Sequence, residues 1–349
     1  MHQLRQWSRF GSDLVIDLVT AGPLYAIARH RIHAPAPLDP AENWHFWTQP
    51  RPAWLTALLR HTPPAAQRRA YLTARLAADQ ASGIEAHYDV SNDFYALFLD
   101  SRYRFYTCAD FLSAADTLET AQTRKADYLR ALLRLSGEET ILDLGCGWGA
   151  MLAYLRDSGH RGHLRGLTLS REQWAYSRQT LGLDVALANF VTDPFDIGGV
   201  EGGCDRILSI GALEHVRPSE LSALYQKMYA ALRPGGLAVH QFFSFEREPY
   251  PASAIALQLF FPGSLLVLHH HHRAAATEAG FSLTHDSTHD YQPTIKAWYD
   301  RLVHHREAAL ALVGLETYNR YMTFFPIAWL FFQHNEARLH RLVMEKPLE

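Results

Sequence analysis

The stretch "ILDLGCGWGA", Ile141–Ala150, constrains the fold more than any other part of this 349-residue chain. Its first four residues fit a buried strand, and glycines occupy every second position from 145 to 149. Glycine allows a sharp turn and a close approach of the backbone to a ligand. The order of strand, glycine-rich loop and helix therefore predicts a nucleotide-type site. A tight turn without a ligand is the alternative, and three alternate glycines after an Asp-containing strand disfavour it.

Strands and helices alternate from about residue 117 onwards. Strands are predicted at 140–144, 164–169, 184–188, 206–210 and 237–243, with a closing strand at 338–346. Helices are predicted over 117–135, from about 148, from 171 and over 219–232. This alternation predicts an α/β fold with a doubly wound, mostly parallel sheet. It stops between 244 and 291, which indicates an insertion that covers the substrate at the carboxyl edge of the sheet.

The first 80 residues differ in composition from the rest. They hold eight of the 17 prolines and four of the eight tryptophans, in short helical stretches joined by proline-rich loops. We expect a helical appendage over 1–80 that packs on the main α/β domain over 81–349. A lipid- or partner-facing surface is the alternative, since neighbouring Trp and Arg side chains suit a membrane interface. The apolar run 14–28 contains Asp17 and Pro23, so we interpret it as a packed or surface-lying helix and not as an export signal.

Charge and cysteine content exclude several classes of protein. The formal net charge of −3 argues against nucleic-acid binding through a broad basic surface. The three cysteines, Cys108, Cys146 and Cys204, form no C-x-x-C motif. A disulfide framework and a cysteine-based zinc site are therefore excluded, and the content fits a reducing cytoplasm. We expect a cytoplasmic protein, with peripheral contact to a membrane left open.

The segment "RGLTLSREQ" lies about twenty residues after the glycine-rich loop, where a dinucleotide-binding fold carries an acid for the ribose. Here Thr168 and Gln173 offer only uncharged groups. Gln173 could bind a ribose hydroxyl, or Ser170 and Gln173 could form a capping box at the helix start. The motif D-L-G-C-G-W-G is typical of S-adenosylmethionine (SAM)-dependent methyltransferases rather than of NAD enzymes. Asp143 would then hydrogen-bond the ligand indirectly or fix the loop.

Seven stretches, taken together, are similar to one family. In chain order they are "HYDVSNDFYALFLDSRYRFYTCADF", "LDLGCGWG", "GLTLSREQ", "SIGALEHV", "LRPGG", "FFPG" and "YQPTIKAW". From about residue 82 the chain resembles the cyclopropane-fatty-acid synthases, including the mycolic acid cyclopropane synthases and related C-methyltransferases. The resemblance implies a Rossmann-like class I methyltransferase fold. It also implies that a cis double bond takes the methyl group of SAM, and that bound bicarbonate deprotonates the resulting carbocation.

The resemblance carries site residues over to matching positions. Together with Asp143, the positions expected around the cofactor are Tyr106, Thr107, Gly145, Gly147, Thr168, Leu169, Gln173, Phe190 and Ile210. The bicarbonate pocket, with its catalytic residues, would comprise Cys108, Glu214, His240, Phe242 and Tyr291. Structural roles are the alternatives: Cys108 as a small buried hydrophobe, His240 as a core histidine and Tyr291 as a packing residue. An uncompensated buried carboxylate is costly, which favours a functional Glu214.

Four departures from the family pattern bear on the substrate. The strand reads His240-Gln241-Phe242 where the family has His-Thr-Ile, and Asp110 replaces a tyrosine. In addition, "SLLVLHHHH" follows "FFPG", and the tail "FFPIAWLFF" is more apolar than the family's. We expect a C-methyltransferase or cyclopropane synthase that acts on a C=C bond of an apolar substrate, with an unsaturated acyl chain first. The alternative is a natural-product tailoring enzyme of the same family. An O- or N-methyltransferase and a non-catalytic SAM-binding module are less favoured, and a homodimer is left open.

The run of four histidines, His269–His272, is the remaining candidate for chemistry. Four adjacent side chains cannot all point at one ion from a regular helix or strand, and no acidic residue is close in sequence. We therefore expect a solvated loop or a cavity lining, and no metal site.

Overall fold

A computed structural model of the chain describes residues 26–54, 91–195, 197, 203–246, 259–260 and 267–348. The strands are β1 Ile141–Leu144, β2 Leu164–Thr168, β3 Asp184–Leu187, β4 Cys204–Ile210, β5 Leu232–Phe245, β6 Ser282–His289 and β7 Ala337–Glu345. The helices are α1 26–32, α2 Pro40–Thr48, α3 Asn92–Ala96, α4 Leu118–Leu132, α5 Ala150–Asp157, α6 Arg171–Ala175, α7 Leu221–Ala231, α8 His269–Glu278, α9 Gln292–His304 and α10 Arg306–Gln333. The apolar run before residue 26, the family motif before residue 91 and most of "FFPG" lie outside the described residues.

Within the described ranges, seven strands form one sheet in the order β3-β2-β1-β4-β5-β7-β6. Strand β1 lies inside the sheet and pairs in parallel with β2 and β4, and β7 pairs antiparallel with β5 and β6. All four residues of β1 are buried, because helices cover both faces of the sheet. Leu142 and Leu144 pack with α7 and α8, while Ile141 packs with α4 and α5. The predicted doubly wound, mostly parallel sheet is confirmed.

The second half of the range predicted as an insertion, 244–291, differs from the prediction. Its second half contains helix α8 and strand β6, which belong to the helix layer and to the edge of the sheet. Strand β6 reads "SLTHDSTH", and its residues alternate between exposed and partly buried. An edge strand that is covered only on one side needs no continuous apolar run, so hydrophobic periodicity predicts no strand there.

The described part of the N-terminal region lies against helix α10. The Asn43 side chain donates to the Met322 carbonyl at 2.7 Å, and the Tyr299 hydroxyl donates to the Pro40 carbonyl at 2.7 Å. The apolar stretch "YMTFFPIAWLFF" forms the second half of α10, beyond a kink at Gly314. No helix within the described residues is both long and apolar enough to span a bilayer.

A fully buried arginine joins the closing strand to the segment before α4. Both terminal nitrogens of Arg341 donate to the Asp110 carboxylate, at 2.9 and 2.7 Å, and its Nε donates to Gln241 Oε1 at 2.8 Å. Gln241 in turn donates to the Cys108 carbonyl at 3.2 Å. The planar guanidinium fork matches a carboxylate in two places. Two departures from the family pattern, Asp110 and Gln241, are therefore partners of one residue, Arg341.

We predict that Arg341→Met lowers the free energy of unfolding by about 3 kcal/mol, because Asp110 would keep a largely buried charge without a partner. The double variant Arg341→Met/Asp110→Asn should lose about 2 kcal/mol less than the sum of the single variants. Chemical denaturation measures all three. Arg161→Met, which breaks an exposed ion pair with Glu138, is the control and should cost under about 1 kcal/mol. Additive losses at Arg341 and Asp110 would contradict the coupling.

Candidate active site

A cavity of about 290 Å³ opens at the carboxyl ends of the parallel strands β1, β2 and β4. Folds of this kind bind ligands at this edge. The cavity wall contains all of the residues predicted around the cofactor: Tyr106, Thr107, Asp143, Gly145, Gly147, Thr168, Leu169, Gln173, Phe190 and Ile210. Five separate segments of the chain meet there, as the sequence motifs predicted.

Backbone conformation and close neighbours both require glycine in the loop 145–149. Gly145, Gly147 and Gly149 have φ angles of 77°, 57° and 78°, in the left-handed region that favours glycine. A Cβ atom at Gly145 would lie 2.4 Å from Cβ of Ala212. Helix α5 begins directly after Gly149, so its first amide groups face the cavity region as in nucleotide-binding loops.

Thr168 and Gln173 form an uncharged polar pair in the cavity wall. The Thr168 hydroxyl donates to Oε1 of Gln173 at 2.9 Å, while Oγ of Ser170 accepts from the Gln173 amide at 3.2 Å. Ser170 therefore caps α6, as the capping alternative predicted. The Gln173 side chain bonds to Thr168 instead of the helix start, and a Cβ atom at Gly147 would lie 3.9 Å from its Nε2. The Gln173 side chain therefore lies in the cavity wall and not across the helix start.

Two buried charged residues lie beneath the cavity. Burial raises the pKa of Asp143 to about 7, against the opposing effect of the Lys125 ammonium. Lys125 donates to Oγ1 of Thr107 at 3.0 Å, lies 3.4 Å from the centre of the Phe105 ring, and has its pKa lowered by burial to about 7. Sequence reasoning missed Lys125. Its signal was a lysine in the buried stripe of α4, between Gln122 and Leu129.

The segment 100–111 reaches the cavity with little regular secondary structure and is fixed by side chains. The Asp100 carboxylate accepts from the amides of Tyr103 and Phe105 at 2.8 and 2.7 Å. Gln122 donates to the Thr107 carbonyl at 2.9 Å. The cavity also has polar residues that sequence reasoning missed: Arg104, Asn189, Thr192, His215, Arg217 and Glu220. Most follow β3 or β4, and that position at a carboxyl end was the available signal.

Of the residues predicted for a bicarbonate pocket, Cys108 and Tyr291 come close together. The Cys108 sulfur lies 3.4 Å from the carbonyl oxygen of Asp290, the residue before Tyr291. Burial raises the pKa of Cys108 to about 12, so its thiol stays protonated. The Tyr291 ring packs 5.8 Å from the Trp298 ring and 5.0 Å from the Phe332 ring, measured between centres.

Glu214 and His240 carry buried polar atoms without hydrogen-bond partners among the described residues: Oε2 of Glu214 and both ring nitrogens of His240. Burial raises the pKa of Glu214 to about 8 and lowers the pKa of His240 to about 3. Phe242 is different, since its buried ring packs 4.3 Å from the ring of His272. These five residues are not among those lining the described cavity.

The strand order, the glycine-rich loop and the cavity beside it define a Rossmann-like class I SAM-dependent methyltransferase fold. A protein-family model described as mycolic acid cyclopropane synthetase matches residues 76–342. The chain therefore belongs to this family, the cyclopropane synthases among the SAM-dependent methyltransferases, as the sequence motifs predicted.

Sequence identity and structural superposition with individual proteins support this family membership. The chain is 31% identical over 274 residues to a probable fatty acid methyltransferase of Mycobacterium tuberculosis, covering 76% of this chain and 63% of that protein. It is 30% identical to cyclopropane mycolic acid synthase MmaA2 of M. tuberculosis, covering 69% and 88%. The solved structure of MmaA2 superposes with a TM-score of 0.69 at 26% identity, covering 77% and 99%. Mycolic acid cyclopropane synthase CmaA1, solved with SAH and CTAB, superposes with a TM-score of 0.68 at 28% identity, again covering 77% and 99%.

The raised pKa of Glu214 predicts a pH-dependent stability. Between about pH 4.5 and 8 the folded chain keeps a proton on Glu214 that the unfolded chain releases. Stability from this group is therefore complete below about pH 4.5 and is lost as the pH rises, by up to about 1.4 kcal/mol per pH unit. Glu214→Gln should flatten this decline and make the ligand-free protein more stable at pH 8.

Denaturation at pH 5 to 8.5 measures this effect, with exposed Glu278→Gln as the control that keeps the wild-type profile. Asp143 contributes a decline of the same sign in both proteins, because burial raises its pKa as well. Parallel profiles for Glu214→Gln and the wild type would show that Glu214 is solvated.

Proposed function

We propose that the chain is a SAM-dependent C-methyltransferase of the cyclopropane synthase type, which adds a methylene or methyl group to a C=C bond of an unsaturated acyl chain. The observation that carries this proposal is the pairing of two features. A cavity holds the full predicted cofactor set, and two predicted anion residues, Glu214 and His240, have buried polar atoms unpartnered within the described ranges. Such atoms are costly unless a ligand satisfies them.

The residues of the cavity fit SAM. Gln173, with Thr168 behind it, would bind the ribose hydroxyls without an acid, and Phe190 and Ile210 would pack on the adenine. Oδ1 of Asp143, which has no hydrogen-bond partner among the described residues, offers an acceptor beside the glycine-rich loop. When bound, SAM supplies the methyl group.

An aromatic row supports an apolar acceptor. The Tyr106 ring, in the cavity wall, lies 5.0 Å from the Trp298 ring. Trp298 contacts Tyr291, Tyr291 contacts Phe332, and Phe332 lies 6.1 Å from Phe243, all between ring centres. These side chains would hold an acyl chain away from water and align it with the methyl group. An alkene needs no base to start the reaction, so alignment and dryness are what the walls supply.

Four of the five predicted residues offer groups that would hold bicarbonate. Glu214, protonated below about pH 8, can donate a hydrogen bond, and the neutral imidazole of His240 and the Tyr291 hydroxyl are further polar groups. Cys108 would contribute its backbone, because its thiol does not ionise. The anion would supply the acceptor for the proton that leaves after methyl transfer. We assign Phe242 to the packing behind this pocket, since its ring contacts His272.

Three residues that depart from the family pattern make contacts inside the protein, and this favours a lipid over a natural product as the substrate. Asp110 and Gln241 accept hydrogen bonds from Arg341, and Phe242 packs in a buried position against His272. Asp110, Gln241 and Phe242 each therefore have a partner inside the protein and call for no altered substrate. A natural-product acceptor is kept as an outcome of the activity test below.

We predict that Gln173→Ala weakens SAM binding about tenfold, the loss of about one hydrogen bond to a ligand, with little change in melting temperature. Isothermal titration and thermal unfolding of the ligand-free protein measure the two effects. The control is Thr117→Ala, which removes the N-cap of α4 and should lower stability by about 1 kcal/mol without affecting SAM affinity. A lower melting temperature with unchanged affinity for Gln173→Ala would assign this residue to the fold alone.

The activity test incubates the protein with methyl-labelled SAM, bicarbonate and liposomes of cis-unsaturated phospholipid. Mass spectrometry should find labelled lipid one methylene heavier. Glu214→Gln should lower turnover about 100-fold at unchanged SAM affinity, because it removes a group that positions the proton acceptor. Removal of bicarbonate should lower turnover of the wild type and have little further effect on the variant.

Unlabelled lipid alongside tight SAM binding would contradict the lipid substrate and direct the search to unsaturated natural products. Full turnover of Glu214→Gln would remove the anion pocket from the proposal.

A further inference from the structure

The four histidines of the run point in different directions from the start of α8. The structure corrects the prediction of a loop, because His269–His272 form the first turn of this helix. His270 is exposed, whereas His272 is fully buried and its Nδ1 lies 3.0 Å from the Tyr225 hydroxyl. His269 lies against strands β6 and β7, with its side chain 11% exposed. His269 therefore faces residues of β6 and β7 at the edge of the sheet.

Two residues distant in sequence meet His269. Its ring stacks on the ring of His340 in β7, with 3.9 Å between centres and 13° between planes. Glu246, directly after β5, places Oε1 3.3 Å from Nε2 of His340. One potential ligand atom from each of the three side chains lies within 4.8 Å of the other two. Sequence reasoning missed this cluster because it considered only neighbours along the chain.

His340 indicates that the cluster is more than packing. Its side chain is 1% exposed, yet neither ring nitrogen makes a well-directed hydrogen bond to any described residue. The 3.3 Å separation from Glu246 also has a specific meaning. Two ligand atoms held at about 2.0–2.1 Å from a tetrahedral zinc ion lie about 3.3–3.4 Å apart. Nε2 of His340 and Oε1 of Glu246 therefore already have the spacing of two zinc ligands.

His269 has the outer contact that metal-binding histidines usually have. Its Nε2 lies 3.1 Å from Oδ1 of Asp286 in β6. A carboxylate that accepts from one ring nitrogen fixes the tautomer and leaves the other nitrogen as the ligand. Asp286 is thus the outer hydrogen-bond partner expected of a metal-binding His269.

We propose that Glu246, His269 and His340 form a binding site for a divalent first-row transition metal, with zinc as the best match. Two imidazoles and one carboxylate are a common zinc set that leaves the fourth position for water. Binding requires the partly exposed His269 ring to turn out of the stack, because parallel rings do not direct their lone pairs at one point. The ion would join the end of β5, the start of α8 and β7.

This site lies behind the proposed active-site wall. Phe242 pairs with His340 across β5 and β7, so both side chains share one face of the sheet, with 6.0 Å between ring centres. A metal clamp at His340 would therefore stiffen the strand that carries His240. The inference is independent of the proposed reaction.

The test uses the full chain without a histidine tag, stripped with a chelator and titrated with Zn²⁺ or Co²⁺. We expect one ion per chain, a visible Co²⁺ spectrum of a tetrahedral site, and a melting temperature that rises by about 5 °C at a hundredfold excess over Kd. Glu246→Gln and His269→Ala should each abolish or strongly weaken binding. Asp286→Asn should weaken it about tenfold.

The matched control is His270→Ala, which removes an exposed histidine of the same run and should leave binding unchanged. Loss of binding in His270→Ala, with Glu246→Gln unaffected, would show only surface chelation by the run and overturn the proposal. Absence of one-to-one binding to the wild type would overturn it as well.

Discussion

The buried guanidinium of Arg341 is the interaction on which the candidate site depends. The segment 100–111 has little regular secondary structure, so its position over the sheet is set by side chains. Arg341 binds Asp110 at one end of this segment and, through Gln241, the carbonyl of Cys108. A buried ion pair is favourable only when its geometry and its remaining hydrogen bonds are satisfied. The Arg341–Asp110 pair meets both conditions. It therefore holds Tyr106 and Thr107 at the cavity.

Asp143, Glu214 and His240 each carry a buried polar atom without a hydrogen-bond partner among the described residues. Asp143 and Glu214 have pKa values raised by burial, and His240 has a lowered one. Each costs stability in the ligand-free protein, and such groups concentrate at functional sites. By contrast, the buried guanidinium of Arg341 is paired with Asp110 and Gln241.

Most of the fold and the residues that line the cavity could be predicted because their signals are local. The strand and glycine-rich loop around Gly145, and the polar pair Thr168 and Gln173, are read within a few residues. Strand β6 was missed because an edge strand carries no apolar run, and Lys125 because its partner Thr107 lies in another segment. Phe242, predicted in the anion pocket, packs on His272, a contact that only the helix α8 creates.

By itself the sequence determined the alternation of strands and helices, the nucleotide-type loop and the family, because hydrophobic periodicity and glycine conformation act over short distances. The tertiary structure alone decided which side chains share a space. It joined Asp110, Gln241 and Arg341 into one network, and it placed Glu246 and His340 beside His269. Side-chain charges, ligand lone pairs and hydrogen bonds act over a few ångströms in space, and distance along the chain does not encode that proximity.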